Sequence, residues 1–558
     1  MKTITRLLSL FIAAAILLGI SVFSAVAADG DDVIGSITIC DTCGENLTWS
    51  VENGVLTISG EGEMSDFEEH YYLAPWVREE YKEVVIGSGV KSIGNFAFAY
   101  SWRLESIVIP EGVERIGEGA FINCYKLKSI SFPQSVTSIG DRVLISCAGL
   151  ESITVAEGNT SFSSEGNCLV DLNAHRLIAG SKNTVIPDNG SVVSIADCAF
   201  YEISGITSIT VPAGVETIEK HAFMKCIDLE EVSLPDGLKT IGMGAFYNCA
   251  LKDIKVPDTV TAIGPGAFAY CYKLESANIP DGIEAPLHET FLFCTSLKSI
   301  YIPASVTNED GAFVGCESLE TITVAEGNEV YHSSGNCLIE TATGTLVAGT
   351  GNSVIPDDGS VIRIYSNAFG GRVGLESIVV PESVTRFESS VFGGCRNLKS
   401  VVIKGSVKYL FSAFDGCTNL ETVVLAEGVE QVVVNTFFRC SSLKTVFFPK
   451  SVNYIAEKAF EYSPELVMCV YENTYSHEYA VENDIPYYII DDTYGSGMSG
   501  DIDRDGEVTV ADALAVLRVA ARLKEATPEM ILAGDMDDDC DITVNDALLV
   551  LRIAAKLA

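Results

Sequence analysis

Histidine and tryptophan are scarce in this chain of 558 residues, which holds six of the first and three of the second. The histidines (His70, His175, His221, His288, His332 and His477) share no common spacing, and no GxSxG occurs. Neither a histidine-centred catalytic set nor a nucleophile elbow is therefore legible. Trp49, Trp76 and Trp102 all lie toward the N-terminal end, so no tryptophan strip runs along the chain for sugars to stack on. Basic residues are the next shortage: 36 Lys and Arg stand against 76 Asp and Glu, a net charge of -40. That field repels phosphate backbones and anionic membranes, so nucleic acid is not an expected partner. Long apolar runs are missing after the first one, Leu7–Phe23, which follows Lys2 and Arg6 and precedes Ala25-Val26-Ala27. Basic start, apolar stretch and small-x-small site read as an export signal over 1–27. The run approaches the roughly 20 apolar residues that a bilayer span needs. The acidic Ala28–Asp32 directly after the small-residue site favours cleavage, which would leave no membrane span.

Self-similarity fills the middle of the chain. Phe98, Phe121 and Leu144 recur at one constant step. After a long gap, from Leu144 to Phe200, come Phe223, Phe246, Phe268, Phe291 and Phe313 at that step or one shorter. A second gap of equal length, from Phe313 to Phe369, precedes Phe392, Phe414, Phe437 and Phe460. The unit reads Ala-Phe-x-x-Cys-x-x-Leu-x-x-Ile-x-Ile-Pro, followed by Val-x-x-Ile-Gly, as in Ala120–Gly140. The Ile-x-Ile piece alternates with the period of a strand, and the proline, lacking an N–H, ends it. A coil this short cannot bury its own apolar positions, so successive coils must stack into one continuous core. The 17 cysteines fit this scheme better than a disulfide framework. Ten of them, from Cys124 to Cys440, sit three residues after the same repeat position, as small buried hydrophobes in a ladder. Cys40-Asp41-Thr42-Cys43 is the one CxxC, open to a local disulfide, two thiols, or zinc or redox chemistry. The two gaps resemble each other: Gly158–Leu169 matches Gly327–Leu338, and Val185-Ile186-Pro187-Asp188 matches Val354-Ile355-Pro356-Asp357. Each is expected to hold one extra coil with a hairpin-like insertion.

These residues resemble the BspA-like leucine-rich repeats of bacterial surface proteins. The resemblance implies a mainly β solenoid over 84–470, built of coils about 22–23 residues long. It implies an N-terminal cap over 28–83, carried by Cys43–Trp49 and Leu56–Gly60, and a closing cap over 471–491. It also implies adhesion or recognition of another protein, with no catalysis by the repeats.

After a glycine- and serine-rich linker, 492–500, the pattern changes. Asp501, Asp503 and Asp505 place carboxylates at positions 1, 3 and 5 of a loop, and Gly506 permits its sharp turn. Glu507 offers its backbone carbonyl, Thr509 stands at position 9, and Asp512 closes the set. Hard oxygens at that spacing are a calcium site. One constant offset carries these positions onto Asp535, Asp537, Asp539, Asp541, Thr543 and Asp546, and carries Asp512–Arg518 onto Asp546–Arg552. Two such loops, each followed by a helix, resemble a dockerin of type I, here a small all-α module over 501–558 with two calcium ions. The resemblance implies a cohesin module as partner. It places the contacts on Val510, Ala511, Arg518 and Arg522 in one half and on Val544, Asn545, Arg552 and Lys556 in the other. Leu514, Val516 and Leu517 read instead as core.

Three functions are consistent with this layout. One is a secreted, non-catalytic component of a cellulosome-like assembly, whose repeats bind an extracellular protein or polysaccharide. A cell-surface adhesin that uses the dockerin only as an anchor is the second. The third is a dockerin-borne carbohydrate-active enzyme, for which abundant Asp and Glu leave a carboxylate pair open. One departure from the loop pattern yields a prediction. Cys540 stands at the second loop's position 6, where the turn favours glycine. The second site should bind calcium more weakly than the first, and calorimetry on variants with one loop disabled would contradict this by returning equal affinities.

Overall fold

The computed structural model describes residues 38–39, 43–69, 72–309, 311–490, 500–503, 507–522, 524, 528–536 and 542–555. The expected export segment, Cys40 and the linker before Gly500 lie outside them, as do Asp505, Gly506, Asp537, Asp539, Cys540, Asp541 and Lys556.

The chain is a mainly β leucine-rich-repeat solenoid followed by short helices. Each coil supplies one strand from its Ile-x-Ile piece, and most coils add a short second strand from Val-x-x-Ile, which is absent around Ile283 and Val306. Both kinds pair in parallel with the same piece of the next coil, for example Ser129–Phe132 with Ser152–Val155 and Thr217–Ile218 with Thr240–Ile241. Their inward residues, such as Ile130, Phe132 and Ile218, are buried. At the start, Leu47–Glu52 and Val55–Gly60 form an antiparallel hairpin. Its turn is Asn53-Gly54, both at positive φ, the conformation that matches strand twist in a two-residue hairpin loop. The second strand then pairs in parallel with Glu83–Ile86 and so begins the ladder.

The third side of each coil is the Ala-Phe turn, and it is hydrogen-bonded from coil to coil. Phe98 N donates to Ala120 O (2.8 Å), Phe223 N to Ala245 O (2.7 Å) and Phe414 N to Thr436 O (3.0 Å). Left-handed residues flank the turn, for instance Gly244 (φ 57°) and Asn248 (φ 56°) around Phe246. Where glycine is absent, Asn and Ser often take these places, and Asn tolerates that region better than most residues. The phenylalanines stack face to face, with ring centroids 5.2 Å apart for Phe223 and Phe246 and 5.5 Å for Phe246 and Phe268. Trp76 extends the first stack, 5.7 Å from Phe98, and its indole N–H is satisfied by Ala97 O at 2.9 Å.

The cysteine ladder is buried as expected, but its chemistry is more specific than apolar filling. Each thiol donates to the Phe carbonyl of the preceding coil: Cys124 to Phe98 (3.3 Å), Cys226 to Phe200 (3.0 Å), Cys395 to Phe369 (2.9 Å) and Cys440 to Phe414 (3.1 Å). In the last coil Ser463 replaces cysteine and keeps the bond, to Phe437 O at 2.9 Å. Burial pushes the thiols of Cys271, Cys395 and Cys440 up to about 12, so at neutral pH these three remain donors rather than thiolates.

Each of the two long gaps holds an extra coil made of a three-stranded antiparallel meander, two hairpins rather than one. Its last strand, Arg176–Ala179 or Thr345–Ala348, rejoins the parallel ladder at Ser194–Ile195 or Arg363–Ile364. The meander brings no Ala-Phe turn, so the turn ladder has a seam there. At the second seam Arg372 occupies the ladder cysteine position and is 1% exposed. Its guanidinium donates to Gly349 O (2.7 Å), Cys316 O (2.7 Å) and Phe313 O (3.3 Å), reaching the inserted coil and the coil before it. Burial pulls its pKa down from the ordinary value, yet the three carbonyls hold the cation.

After the last Phe, helix α1 (Tyr475–Glu482) leads into the strand Tyr487–Ile490, which pairs in parallel with Val467–Tyr471. Among the described residues no helix is long and apolar enough to cross a membrane. Arg372→Leu should leave Gly349 O without the guanidinium donor and take the charged donor from Cys316 O and Phe313 O, which keep only their backbone bonds to Leu319 N and Cys316 N. A buried acceptor left unsatisfied costs about 1–3 kcal/mol and the two lost charged bonds add to it, so a total loss of about 2–5 kcal/mol is expected, less for Arg372→Lys. The urea midpoint of the full chain measures it, and a shift no larger than that of an exposed Arg396→Leu control would contradict the role.

Candidate metal centre and docking surface

Three helices follow Gly500: α2 (Val510–Ala520), α3 (Pro528–Gly534) and α4 (Val544–Ala554). The loop pattern alone leads to α2 and α4. Helix α3 puts a helix on both sides of the second loop and has no counterpart in the sequence reading. Gly500 N donates to Ala533 O at 2.7 Å and ties the start of the module to α3.

Helix α2 starts where Thr509 acts as its N-cap: Thr509 Oγ1 accepts from Ala511 N (3.1 Å), and Asp512 three residues on completes a capping box. Asp512 is fully buried. Its Oδ1 accepts from Ile502 N (2.7 Å) and Asp503 N (3.0 Å), and its Oδ2 from Thr509 N (2.8 Å) and Thr509 Oγ1 (3.0 Å). Burial alone would raise its pKa; the amides of Thr509, Asp503 and Ile502 and the Thr509 hydroxyl outweigh this and hold the carboxyl below the usual range. One carboxylate therefore pins both ends of the first loop to the head of α2. The second half repeats the device. Asp546, also fully buried, accepts from Met536 N (2.7 Å), Thr543 N (2.8 Å) and Thr543 Oγ1 (2.9 Å), and Thr543 caps α4.

The structure brings Asp501, Asp503 and Asp512 together: one carboxylate oxygen from each lies within 4.8 Å of the others. Asp501 and Asp512 are buried and Asp503 is exposed, so the cluster opens to solvent on one side. An all-oxygen donor set of this charge and spacing fits a hard divalent cation such as calcium. Of the second set, Asp535, Thr543 and Asp546 are described, while Asp537, Asp539 and Asp541 lie outside the described residues, as do Asp505 and Lys556. Glu507 is exposed at the rim of the first loop. A second ligand-type group, Asp197, Cys198 and His221, borders a cavity of about 560 Å³ on the solenoid. Its members satisfy one another: Cys198 donates to Asp197 at 3.1 Å, and Lys220 and His221 flank the same carboxylate.

Helices α2 and α4 pack on each other through Ala513, Val516, Val519, Ala547 and Val550, with Met530 of α3 and Ile542. Val516 is core, as expected from the sequence. Leu514 and Leu517 are not: they are 47% and 40% exposed. The correction follows from helix geometry. Residues 513 and 516 share the face turned to the partner helix, whereas 510, 514 and 517 follow an i, i+4, i+7 line on another side. Val510, Leu514 and Leu517 thus form an open apolar ridge, and Val544, Leu548 and Leu551 form its counterpart in the second half. Ala511, Arg518 and Arg522 in one half, and Asn545 and Arg552 in the other, are also exposed. The signal that would have found the leucines was present in the sequence: a second apolar line beside the core line on each helix.

Residues 78–167, 179–233, 193–320 and 351–475 match the BspA type leucine rich repeat region, in six copies that together cover more than half of the chain. Residues 499–553 match the dockerin type I domain. No curated protein matches the chain. Among solved structures, a leucine rich cell surface protein from Faecalibacterium prausnitzii is 22% identical, covering 78% of this chain and 96% of its own, with a TM-score of 0.32. A leucine-rich repeat protein from Bacteroides ovatus is 23% identical over 81% of this chain and 100% of its own, TM-score 0.39. One from Eubacterium ventriosum is 20% identical over 75% and 93%, TM-score 0.30. The chain belongs to the BspA-type leucine-rich repeat family and carries, after its repeats, a dockerin type I domain.

Proposed function

We propose that this is an exported, non-catalytic recognition protein whose dockerin docks in a calcium-dependent way onto a cohesin of a cellulosome-like scaffold. The carrying observation is the duplicated module: two buried aspartates, Asp512 and Asp546, each pin a loop to a helix, and each helix presents an open apolar ridge. Dockerin type I domains bind calcium. In this reading one ion sits on Asp501, Asp503, Asp505, Glu507, Thr509 and Asp512, and a second on Asp535, Asp537, Asp539, Asp541, Thr543 and Asp546. A bound calcium would supply the positive charge that the clustered carboxylates lack, while Asp512 and Asp546 tie each loop to the head of its helix. The ridges, with Ala511, Asn545 and the basic Arg518, Arg522, Arg552 and Lys556 beside them, suit a partner face that is apolar at its centre and acidic at its rim.

The repeats are the recognition arm, for an extracellular protein or polysaccharide. Outward positions of the sheet are mostly Ser and Thr through the middle coils, as at Ser131, Thr154, Thr210 and Thr323, a surface suited to protein contacts. A glycan reading has its own support on the turn side, where Tyr247 and Tyr270 lie 4.9 Å apart and Tyr270 and Phe293 stack at 5.2 Å. Cell-surface anchoring follows if the scaffold is itself attached to the cell.

Two outcomes test this. A cohesin panel should capture the full chain in calcium and release it on chelation; capture that survives chelation would sink the mechanism. Leu514→Asp with Leu548→Asp, one on each ridge, should weaken capture at least about tenfold, equivalent to about 1.4 kcal/mol, with the calcium-induced helical signal unchanged. Unaltered capture by this double variant would remove the ridges from the interface.

A further inference from the structure

The outward position between the two core residues of each strand changes character along the solenoid. At Ser131, Thr154, Thr210, Ser233 and Thr323 it is polar and exposed. In the last coils the same position holds Val379, Val402, Val424, Phe447 and Cys469, in register through the parallel pairs of their strands. At a strand spacing of about 4.8 Å these five rungs make an apolar stripe roughly 19 Å long. Such a stripe on a water-facing sheet marks an interaction surface rather than a scatter of single exposed side chains.

Three rungs of the stripe are buried in this chain, and Val379 and Val424 are half-buried. Val402, Phe447 and Cys469 are 6%, 2% and 0% exposed, although they point away from the solenoid core. Strand Ser400–Ile403 is buried at all four residues, whereas Ser129–Phe132, its equivalent in an early coil, alternates between exposed and buried. Phe447, Cys469 and Ile490 form an apolar cluster of their own, separate from the solenoid core, and Val424, Tyr471 and Ile531 pack on it. Ile531 belongs to α3 of the dockerin and packs on the dockerin core as well. With those three rungs buried, Leu514 and Leu548 on the ridges of α2 and α4 remain half exposed.

We infer that this stripe is a built seat for the chain's own dockerin: α3, through Ile531, joins the module to the last coils and leaves the ridges of α2 and α4 facing outward. The two parts then act as one body, and the direction in which the solenoid projects from a bound partner is set by the seat rather than by the linker. This accounts for five consecutive apolar rungs at the end of the solenoid next to the module, whereas elsewhere an apolar outward residue such as Val108 stays open to solvent.

Cys469 reports on the seat, because it lies in the cluster on which Ile531 packs, whereas thiols such as Cys417 lie in the solenoid core. Peptide-resolved iodoacetamide labelling of the reduced, calcium-loaded full chain should modify Cys469 as slowly as Cys417. Ile531→Asp should raise the Cys469 rate at least about tenfold by opening the contact, with Cys417 unchanged. Val424→Asp, on the solenoid side and clear of the dockerin core, should do the same and keeps the test valid if Ile531→Asp unfolds the module. Rapid labelling of Cys469 in the native chain, or no acceleration in Val424→Asp, would overturn the seat. Protection that grows with protein concentration alongside a dimer in sedimentation would overturn it too, by assigning the stripe to a second copy.

Discussion

No coil of this solenoid is complete by itself. A single turn exposes its Phe ring, its Ile side chains and the polar atoms of three bends until another coil lies on it. The demand is sharpest at the Ala-Phe turn. The Phe amide needs the carbonyl of the next coil, and the Phe carbonyl takes a thiol from that same coil. Cysteine suits this place because it is small, apolar enough for a dry core and still a donor. Serine at position 463, in the coil where the ladder stops, does the same bonding with a better donor nearer the end of the array.

That dependence makes every interruption an energetic problem, and the molecule meets each one differently. At the start, Trp76 lies on Phe98 as the next plate of the stack, with its N–H bonded inward. At the second meander the turn ladder is broken between Phe313 and Phe369, and Arg372 spans the break with one planar cation serving three carbonyls. The first meander has Ile203 at the corresponding place and is instead stitched at its edge, by Ser146 donating to Glu202 at 2.7 Å. The two inserted coils are alike in sequence and in strand order, yet their seams are closed by different chemistry.

Much of this was legible in the residues. The Phe and Cys spacing announced stacked coils, the paired gaps announced inserted coils, and the constant offset from Asp501 to Asp535 announced a duplicated loop-helix unit. What escaped was whatever depends on contacts between distant parts. Arg372 looks like an ordinary surface arginine until the coils before the insertion are brought beside it. Leu514 and Leu517 fit helical spacing, and only the packing of α2 on α4 decides which of two apolar lines is core. Helix α3 carries no loop signature. The valines of the last strands read as normal β-formers, because a periodic pattern marks the inward face and leaves the outward one unexamined.

The parallel pairing of Tyr487–Ile490 with Val467–Tyr471 carries a mechanical consequence. This strand is the edge of the sheet, and it leads straight into the linker. A pull transmitted through a bare linker would load the strand's hydrogen bonds one after another, as a zipper opens. With the module seated on Phe447 and Cys469, the same pull also loads the two adjacent strands that carry these residues, so the edge strand no longer bears it alone.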